Sequence, residues 1–317
     1  MSPQGTIPLG IDVGRSRVRI AQITQEAQGP TLRFSIALDL APDNDLTTTV
    51  REALEQSGIS ERRCVVSLGE PDAMLVPLAL PSMSLLERQR TARFEASRVI
   101  DYPIDEARIH LKMLNRTRGL HVLGIVRERA LSQRISGLRA AGLRPIAIDH
   151  ESLAFGRAFP NTEAVLDVGS GGARLHAYGR EVPISARLSF SGSHVTEAIA
   201  NSFSIDLASA ERRKRTHGSA GAADVELDAL GQTVGNALIA ARSRGIGEIQ
   251  RITLVGNGAR LVELVKCVER HTGCIVTPAT KLDVLSSAYP DDVMRASVMD
   301  RALAIGLALW SCAGERT

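Results

Sequence analysis

The chain has 317 residues, 44% of them hydrophobic, so it can bury a large core and is too apolar for a disordered chain. A net charge of +3 is too small to argue for nucleic acid as a partner, and the basic excess is arginine, with lysine only at Lys112, Lys214, Lys266 and Lys281. No apolar run approaches the ~20 residues that cross a bilayer and Met1 to Gly5 carries no signal-peptide pattern, so a soluble, cytoplasmic protein is expected.

In chain order, Ile7 to Thr24 reads as two strands joined by a turn at Gly14, and Thr31 to Leu40 as a third. Asn44 or Asp45 is placed to cap a helix that runs to Gln56 and stops at Gly58. Arg63 to Leu68 is a fourth strand. From Asp72 the pattern changes. Ala73 to Leu80 is a strand, and Ser84 with Glu87 three residues on forms a capping box for a helix reaching Ile100. Ala107 to Leu114 and His121 to Val126 are strands, Arg127 to Ala141 is an amphipathic helix, and Leu143 to Ile148 is a strand leading to Asp149. This block reads as an inserted subdomain. Glu151 to Phe159 is a connecting helix.

Ala164 to Ala177 is the stretch on which the rest is organised. Val165, Leu166 and Val168 suit a strand buried on both faces, and Asp167 within that run is costly unless something pairs with it. The turn that follows, Gly169-Ser170-Gly171-Gly172, can bring bare backbone N–H groups close to a ligand. Asp12-Val13-Gly14 repeats Asp167-Val168-Gly169, and an arginine stands seven residues beyond each aspartate, Arg19 and Arg174. Two copies on apolar strands imply two lobes built alike, with two hairpins able to hold a phosphate chain between them.

The second half continues with a strand at Val182 to Leu188 and helices at Val195 to Phe203 and Asp206 to Arg215. The basic run Arg212 to Arg215 reads as a solvated helix end, and His217 to Ala223 as a flexible tip. Leu227 to Arg244 is a long helix. The strand Arg251 to Val255 ends in Gly256-Asn257-Gly258, which turns into a helix from Ala259 to His271. It lacks the last glycine of GxGxxG, so a Rossmann site is not indicated. Cys274 to Thr277 is a short strand and Ser297 to Ser311 a final helix that returns to the first lobe. Cys64, Cys267, Cys274 and Cys312 form no CxxC or CxC pair, so no zinc motif is legible and a reducing compartment fits.

The two hairpins and the third glycine turn resemble the phosphate-1, phosphate-2 and adenosine motifs of the actin/Hsp70/sugar-kinase superfamily. Within it the chain resembles the type IV pilus assembly protein PilM family, relatives of the cell-division protein FtsA. The likeness covers nearly the whole chain. Its carriers are Leu80-Pro81-Ser82-Met83, Phe94-Glu95-Ala96, Asp101-Tyr102-Pro103-Ile104-Asp105-Glu106, Ala140 to Asp149 and Thr196-Glu197-Ala198-Ile199.

That resemblance implies an α/β fold of two ribonuclease-H-like lobes with an inserted subdomain. The first lobe would comprise 1–71, 145–160 and 296–317, the insert 72–144, and the second lobe 161–295. It implies an ATP-binding scaffold of the pilus machine, peripheral to the inner membrane, that holds the N-terminal peptide of a PilN-like membrane protein and contacts other pilus assembly proteins, with self-association open. Asp12 and Asp167 would hold Mg²⁺ through water. Gly14, Arg15, Ser16 and Arg17, with Gly169, Ser170, Gly171 and Gly172, would wrap the phosphates of ATP. Gly256, Asn257, Gly258 and Ala259 would face the adenosine.

The chain departs from the family pattern in three places. Arg15 and Arg17 flank Ser16, Arg19 replaces the usual lysine, and Val234 and Gly235 stand near the place of an acidic residue. Hydrolysis is therefore not expected to be robust. Two alternatives stay open: a small-molecule kinase, whose base would be Asp149 or Glu151 if these do not simply cap a helix, and a type II secretion adaptor domain. Met74, Leu78, Leu80, Met83 and Phe94 would line a partner groove or form the insert's core.

Overall fold

The structure is a computed structural model and describes residues 7–40, 46–179, 181–285 and 291–313. The first lobe opens with β1 (Leu9–Val13), β2 (Arg17–Glu26), β3 (Gly29–Asp39), α1 (Leu46–Ser57) and β4 (Arg63–Leu68). The expected cap of α1, Asn44 or Asp45, lies outside the described residues. Next come β5 (Ala73–Ala79), α2 (Leu85–Ser97), β6 (Ala107–Asn115), β7 (Leu120–Arg127), α3 (Glu128–Ala140), β8 (Arg144–His150) and α4 (Glu151–Ala158). The second lobe has β9 (Ala164–Gly169), β10 (Gly172–Ala177), β11 (Ile184–Leu188), α5 (Gly192–Phe203), α6 (Leu207–His217), α7 (Asp224–Ser243), β12 (Arg251–Val255), α8 (Val262–Thr272) and β13 (Ile275–Pro278), and α9 (Asp291–Ala308) follows.

The two lobes carry the same strand plan. One sheet is ordered β3-β2-β1-β4-β8 and the other β11-β10-β9-β12-β13. In each, a hairpin strand pairs antiparallel with the central strand, which pairs parallel on its other side. The seven-residue spacing has a direct structural meaning, since Asp12 is the cross-strand partner of Arg19 and Asp167 of Arg174. Cross-strand neighbours lie close enough for opposite charges to interact. Alternation along β9 sends Val165 to the layer between the lobes and Leu166 and Val168 to the second lobe's own core.

The layer between the lobes is built on α4 and α9. Phe155 is fully buried there with Val165, Val255, Ala304 and Leu307. Gly10 on β1 permits a close crossing, because a Cβ at that position would lie 1.9 Å from the Ala304 carbonyl oxygen of α9. This packing returns α9 to the first lobe and carries the buried Asp300 to the lining of the cleft.

Three expectations change. The inserted block has its own sheet, β5-β7-β6, covered by α2, with Ala92, Ala96, Leu123 and Ile125 as its core. However, α3 belongs to the first lobe: Leu138 and Ala141, with Leu143 just beyond, pack among Leu9, Val50, Leu54 and Val66. The 72–144 boundary thus extends one helix too far, because α3 directs its apolar stripe away from the insert. The segment expected as a flexible tip, 217–223, is tucked in. Ser219 and Ala223 are buried, and the Ser219 backbone N–H and hydroxyl both donate to Glu263 Oε1. Finally, the basic run on α6 is only half solvated. Arg212 and Arg215 are exposed, while Arg213 stacks 3.9 Å above Phe203 and the Lys214 ammonium donates to Gly192 O at 3.0 Å and Thr196 Oγ1 at 2.6 Å.

Candidate functional site

The two glycine turns meet face to face at the top of the cleft. Gly14 N–H donates to Arg17 O at 2.9 Å to close the first turn, and Gly172 pairs with Gly169 in the second. The Ser16 and Ser170 hydroxyls are hydrogen bonded at 2.7 Å, joining the lobes directly. The Arg15 side chain lies over Gly171, where even a methyl group would be 2.9 Å from its Cβ.

Below them is a cavity of about 240 Å³ lined by both turns, Asp12, Asp167, Gly256, Glu151, the Gly69–Asp72 loop and Asp300. Asp12 and Asp167 therefore face one space. Their partners differ. Arg19 Nη1 donates to Asp12 Oδ2 at 3.1 Å and Arg19 Nε to Asp300 Oδ1 at 2.8 Å. Arg17, which also reaches Asp39, donates to Asp300 Oδ2 at 3.3 Å. Asp167 has no side-chain hydrogen bond among the described residues. Burial, with the nearby Asp12 charge and against the pull of Arg174, pushes its carboxyl up to about 6.

Glu151 begins α4, yet the cap of that helix is His150, whose ring accepts from Ser152 N–H at 3.2 Å. Asp149 is held by the Arg157 guanidinium and by the His150 N–H. The Glu151 carboxylate instead turns into the cavity, 3.3 Å from Arg174 Nε, and its Oε2 has no hydrogen-bond partner. Burial pushes it up to about 7, with Arg174 opposing and Asp167 and Asp12 reinforcing. A carboxylate at that depth with an ion pair but no hydrogen bond to Oε2 is a costly feature that a cation or a proton relieves.

The donor set fits a hydrated divalent cation at Asp167, with Glu151 nearby. At Asp12 the Arg19 guanidinium already supplies the countercharge. The turns, with Arg15 above them, fit anionic oxygens.

Of the third motif, Gly256 alone reaches the cavity. Its φ of +82° and the 2.5 Å that would separate a Cβ from Val168 O leave no room for another residue. Asn257, Gly258 and Ala259 lie in a 3₁₀ turn (Asn257–Arg260) behind it, with Gly258 and Ala259 buried and Gly258 packed against Val168. Helix α8 starts only at Val262, and none of its residues lines the cavity. Val234 is in the second lobe's core and Gly235 lies against His271 O, so neither position offers a polar group to the cleft.

Sequence reasoning missed Asp300, Arg134 and the Glu70–Asp72 loop as lining residues. Asp300 did leave a signal. It is a carboxylate next to the apolar run from Ala302 to Trp310, in a helix that has to bury one face.

The fold recurs in known proteins. A PilM–PilN type IV pilus biogenesis complex contains a chain that superposes with a TM-score of 0.84 at 24% identity, covering 97% of this chain and 99% of that one. The ethanolamine utilization protein EutJ from Carboxydothermus hydrogenoformans gives 0.57 at 14% identity over 95% and 89%. Component A of (R)-2-hydroxyglutaryl-CoA dehydratase from Acidaminococcus fermentans gives 0.50 at 10% identity over 96% of each chain. At these identities the likeness establishes a two-lobed actin-like fold. No curated protein matches the chain in a sequence comparison. The sequence model of type IV pilus assembly protein PilM matches residues 10–312, and on that match the chain belongs to the PilM family.

Proposed function

We propose that the chain serves type IV pilus assembly as a nucleotide-responsive scaffold, binding ATP in the cleft and the N-terminal tail of a PilN-like membrane protein on the inserted subdomain. The observation that carries the nucleotide half is the meeting of two matched glycine turns over Asp12 and Asp167 in one cavity. The cavity, about 240 Å³, falls below the ~300–1,000 Å³ usual for small-molecule sites. It matches a phosphate chain, and admitting the whole nucleotide requires the Ser16 and Ser170 hydroxyls to part. Gly14 to Arg17 and Gly169 to Gly172 would hold the phosphates, Gly256 would approach the nucleoside end, and Asp167 would hold magnesium through water. Magnesium would supply the positive charge that phosphate oxygens need there.

Support for the partner half comes from the insert's surface and from the PilM–PilN complex that the chain resembles. Leu85, Ile109, Leu111 and Met113 line a crevice between α2 and β6, and Leu86 and Phe94 stand exposed on α2. Of the residues expected to line a groove, Leu78 packs on the insert's core and Leu80 is buried. An apolar peptide of a membrane protein's cytoplasmic tail suits such a crevice. Attachment to the membrane would come from that partner, since no helix among the described residues is long and apolar enough to cross one. Contacts with other pilus assembly proteins and self-association belong to the same proposal.

A second reading has one observation in its favour. Glu151, with a pKa near 7 beside the phosphate turns, is poised as a general base for phosphoryl transfer. Calorimetry with ATP and Mg²⁺ on the full chain separates the two. The scaffold reading expects saturable binding that Asp167→Asn abolishes, with little turnover. Absence of heat in the unaltered chain removes the nucleotide claim, and Glu151-dependent transfer to a sugar hydroxyl favours a kinase.

A further inference from the structure

Away from the cleft, α7 and α8 cross on the outer side of the second lobe. Cys267 and His271, four residues apart, share one face of α8 and look across to Asp228 on α7. The Cys267 sulfur, a His271 ring nitrogen and an Asp228 carboxylate oxygen lie within 4.8 Å of one another. His271 Nε2 and Asp228 Oδ1 are 2.6 Å apart, and Cys267 Sγ points at Leu227 O at 3.1 Å.

Three features make this arrangement more than an ion pair between helices. Gly231 lies directly under the imidazole, and a Cβ there would come within 2.4 Å of His271 Cδ2, so the ring reaches Asp228 only because α7 carries glycine at that turn. The second oxygen of Asp228 accepts from Gln232 Nε2 at 3.0 Å, which fixes the carboxylate plane. The cluster is also graded in depth. Cys267 is buried at 5% exposure, while the His271 and Asp228 side chains are 22% and 42% exposed, so a solvent-side position is open.

We propose that Asp228, Cys267 and His271 form a zinc site that clamps α7 to α8, with water as the fourth ligand. Sulfur, imidazole and carboxylate donors in a tetrahedron are the set Zn²⁺ prefers. Bonds of ~2.0–2.1 Å to nitrogen and oxygen separate those two atoms by ~3.3 Å in a tetrahedron. The half-exposed Asp228 has to withdraw by about 0.7 Å from its present contact, and the Cys267 sulfur, now within 4.8 Å of the other two atoms, has to settle ~3.5 Å from each. Arg270, 3.8 Å from the same oxygen and largely exposed, is free to swing outward as the ion enters. The ligands join two helices of the second lobe's core, the water keeps one zinc position open to solvent, and the site adds no group to the cleft.

The test uses the full chain stripped with a chelator and titrated with Co²⁺, then with Zn²⁺. The expected result is one cobalt per chain, with a sulfur-to-cobalt charge-transfer band and the intense visible bands of tetrahedral cobalt. Stoichiometric Zn²⁺ bleaches both and raises the melting temperature. Cys267→Ser loses the charge-transfer band, Asp228→Asn and His271→Gln weaken binding at least about tenfold, and Cys274→Ser retains the full signal. No saturable band in the unaltered chain overturns the proposal, as does a band that survives Cys267→Ser. If Cys267→Ser fails to fold, His271→Gln decides, because unchanged cobalt affinity there leaves only an ion pair between helices.

Discussion

Arg19 occupies the place in the cleft where a cation is needed, bridging Asp12 to Asp300 from the neighbouring strand. Removing one partner of a buried charge network leaves the others desolvated and unpaired, which costs about 3–5 kcal/mol. Arg19→Met is therefore expected to lower stability by that amount in urea unfolding, and the double variant with Asp300→Asn to recover part of it. If the two substitutions simply add, the bridge is not the unit described here. Glu151 makes a separate prediction. Its folded pKa is raised from 4.5 to about 7, and that of Asp167 from 3.8 to about 6. The folded state thus holds protons that the unfolded chain has released. Stability is fullest below the unfolded values and declines as pH climbs through the folded ones, between about pH 4 and 7. Glu151→Gln should flatten the melting temperature across that window, and a slope equal to that of the unaltered chain would contradict the assignment. At this scale the sequence was informative for the repeated aspartates and their arginines, because period and spacing within a hairpin are local. It named Glu151 only as an alternative to Asp149 and could not choose between them, because the turn of Glu151 into the cavity depends on Gly69 opposite it, where a Cβ would lie 2.1 Å from the Glu151 carboxylate.

Among the elements, α9 does most to position the site, through one close crossing. It packs on β1 at Gly10 and presents Asp300 to Arg17 and Arg19. Gly10→Ala forces a methyl group into the Ala304 carbonyl, an overpacking expected to cost about 2–3 kcal/mol. It should also displace Asp300, so that any ligand affinity of the cleft falls together with the melting temperature. A normal melting curve for this variant would mean that α9 is not seated as described. The hairpins, β4 and the capping box of α2 were legible because each depends on neighbours within a few residues. Ser84 N–H donates to the Glu87 carboxylate at 2.8 Å and Glu87 N–H to Ser84 Oγ at 3.3 Å, as that spacing requires. The allegiance of α3 was not legible, because an amphipathic stripe shows that a helix buries a face but not which neighbour receives it. The start of α8 was misjudged for a related reason. Gly256 and Gly258 are needed for close approach to Val168, and their pattern looks the same as that of a turn opening directly into a helix.

Across the whole molecule, the cleft and the insert share one short connection. Glu70, Pro71 and Asp72 line the cavity and then enter β5. Arg174, the partner of Asp167 and Glu151, donates to Glu70 O at 3.2 Å, while Arg127 at the end of β7 donates its N–H to Asp72 O at 2.8 Å. A cation bound between Asp167 and Glu151 weakens the pull of both charges on Arg174, which is ion-paired to Glu151 and tied to the strand that leads to the proposed peptide crevice. If both halves of the proposed function are right, the two ligands are coupled, and the coupling must be reciprocal. ATP should change the affinity for a PilN-like tail peptide by the same factor by which that peptide changes the affinity for ATP, typically about 5–150-fold for coupling of this kind. Calorimetric titrations in both orders measure each factor. Replacing Arg174 with methionine should bring both toward unity while the insert still binds peptide, since the crevice between α2 and β6 lies outside that contact. Equal and undiminished factors in the Arg174→Met variant would move the coupling away from the Glu70–Asp72 connection and onto the hydroxyl bridge between Ser16 and Ser170, the other contact that has to change as the lobes open.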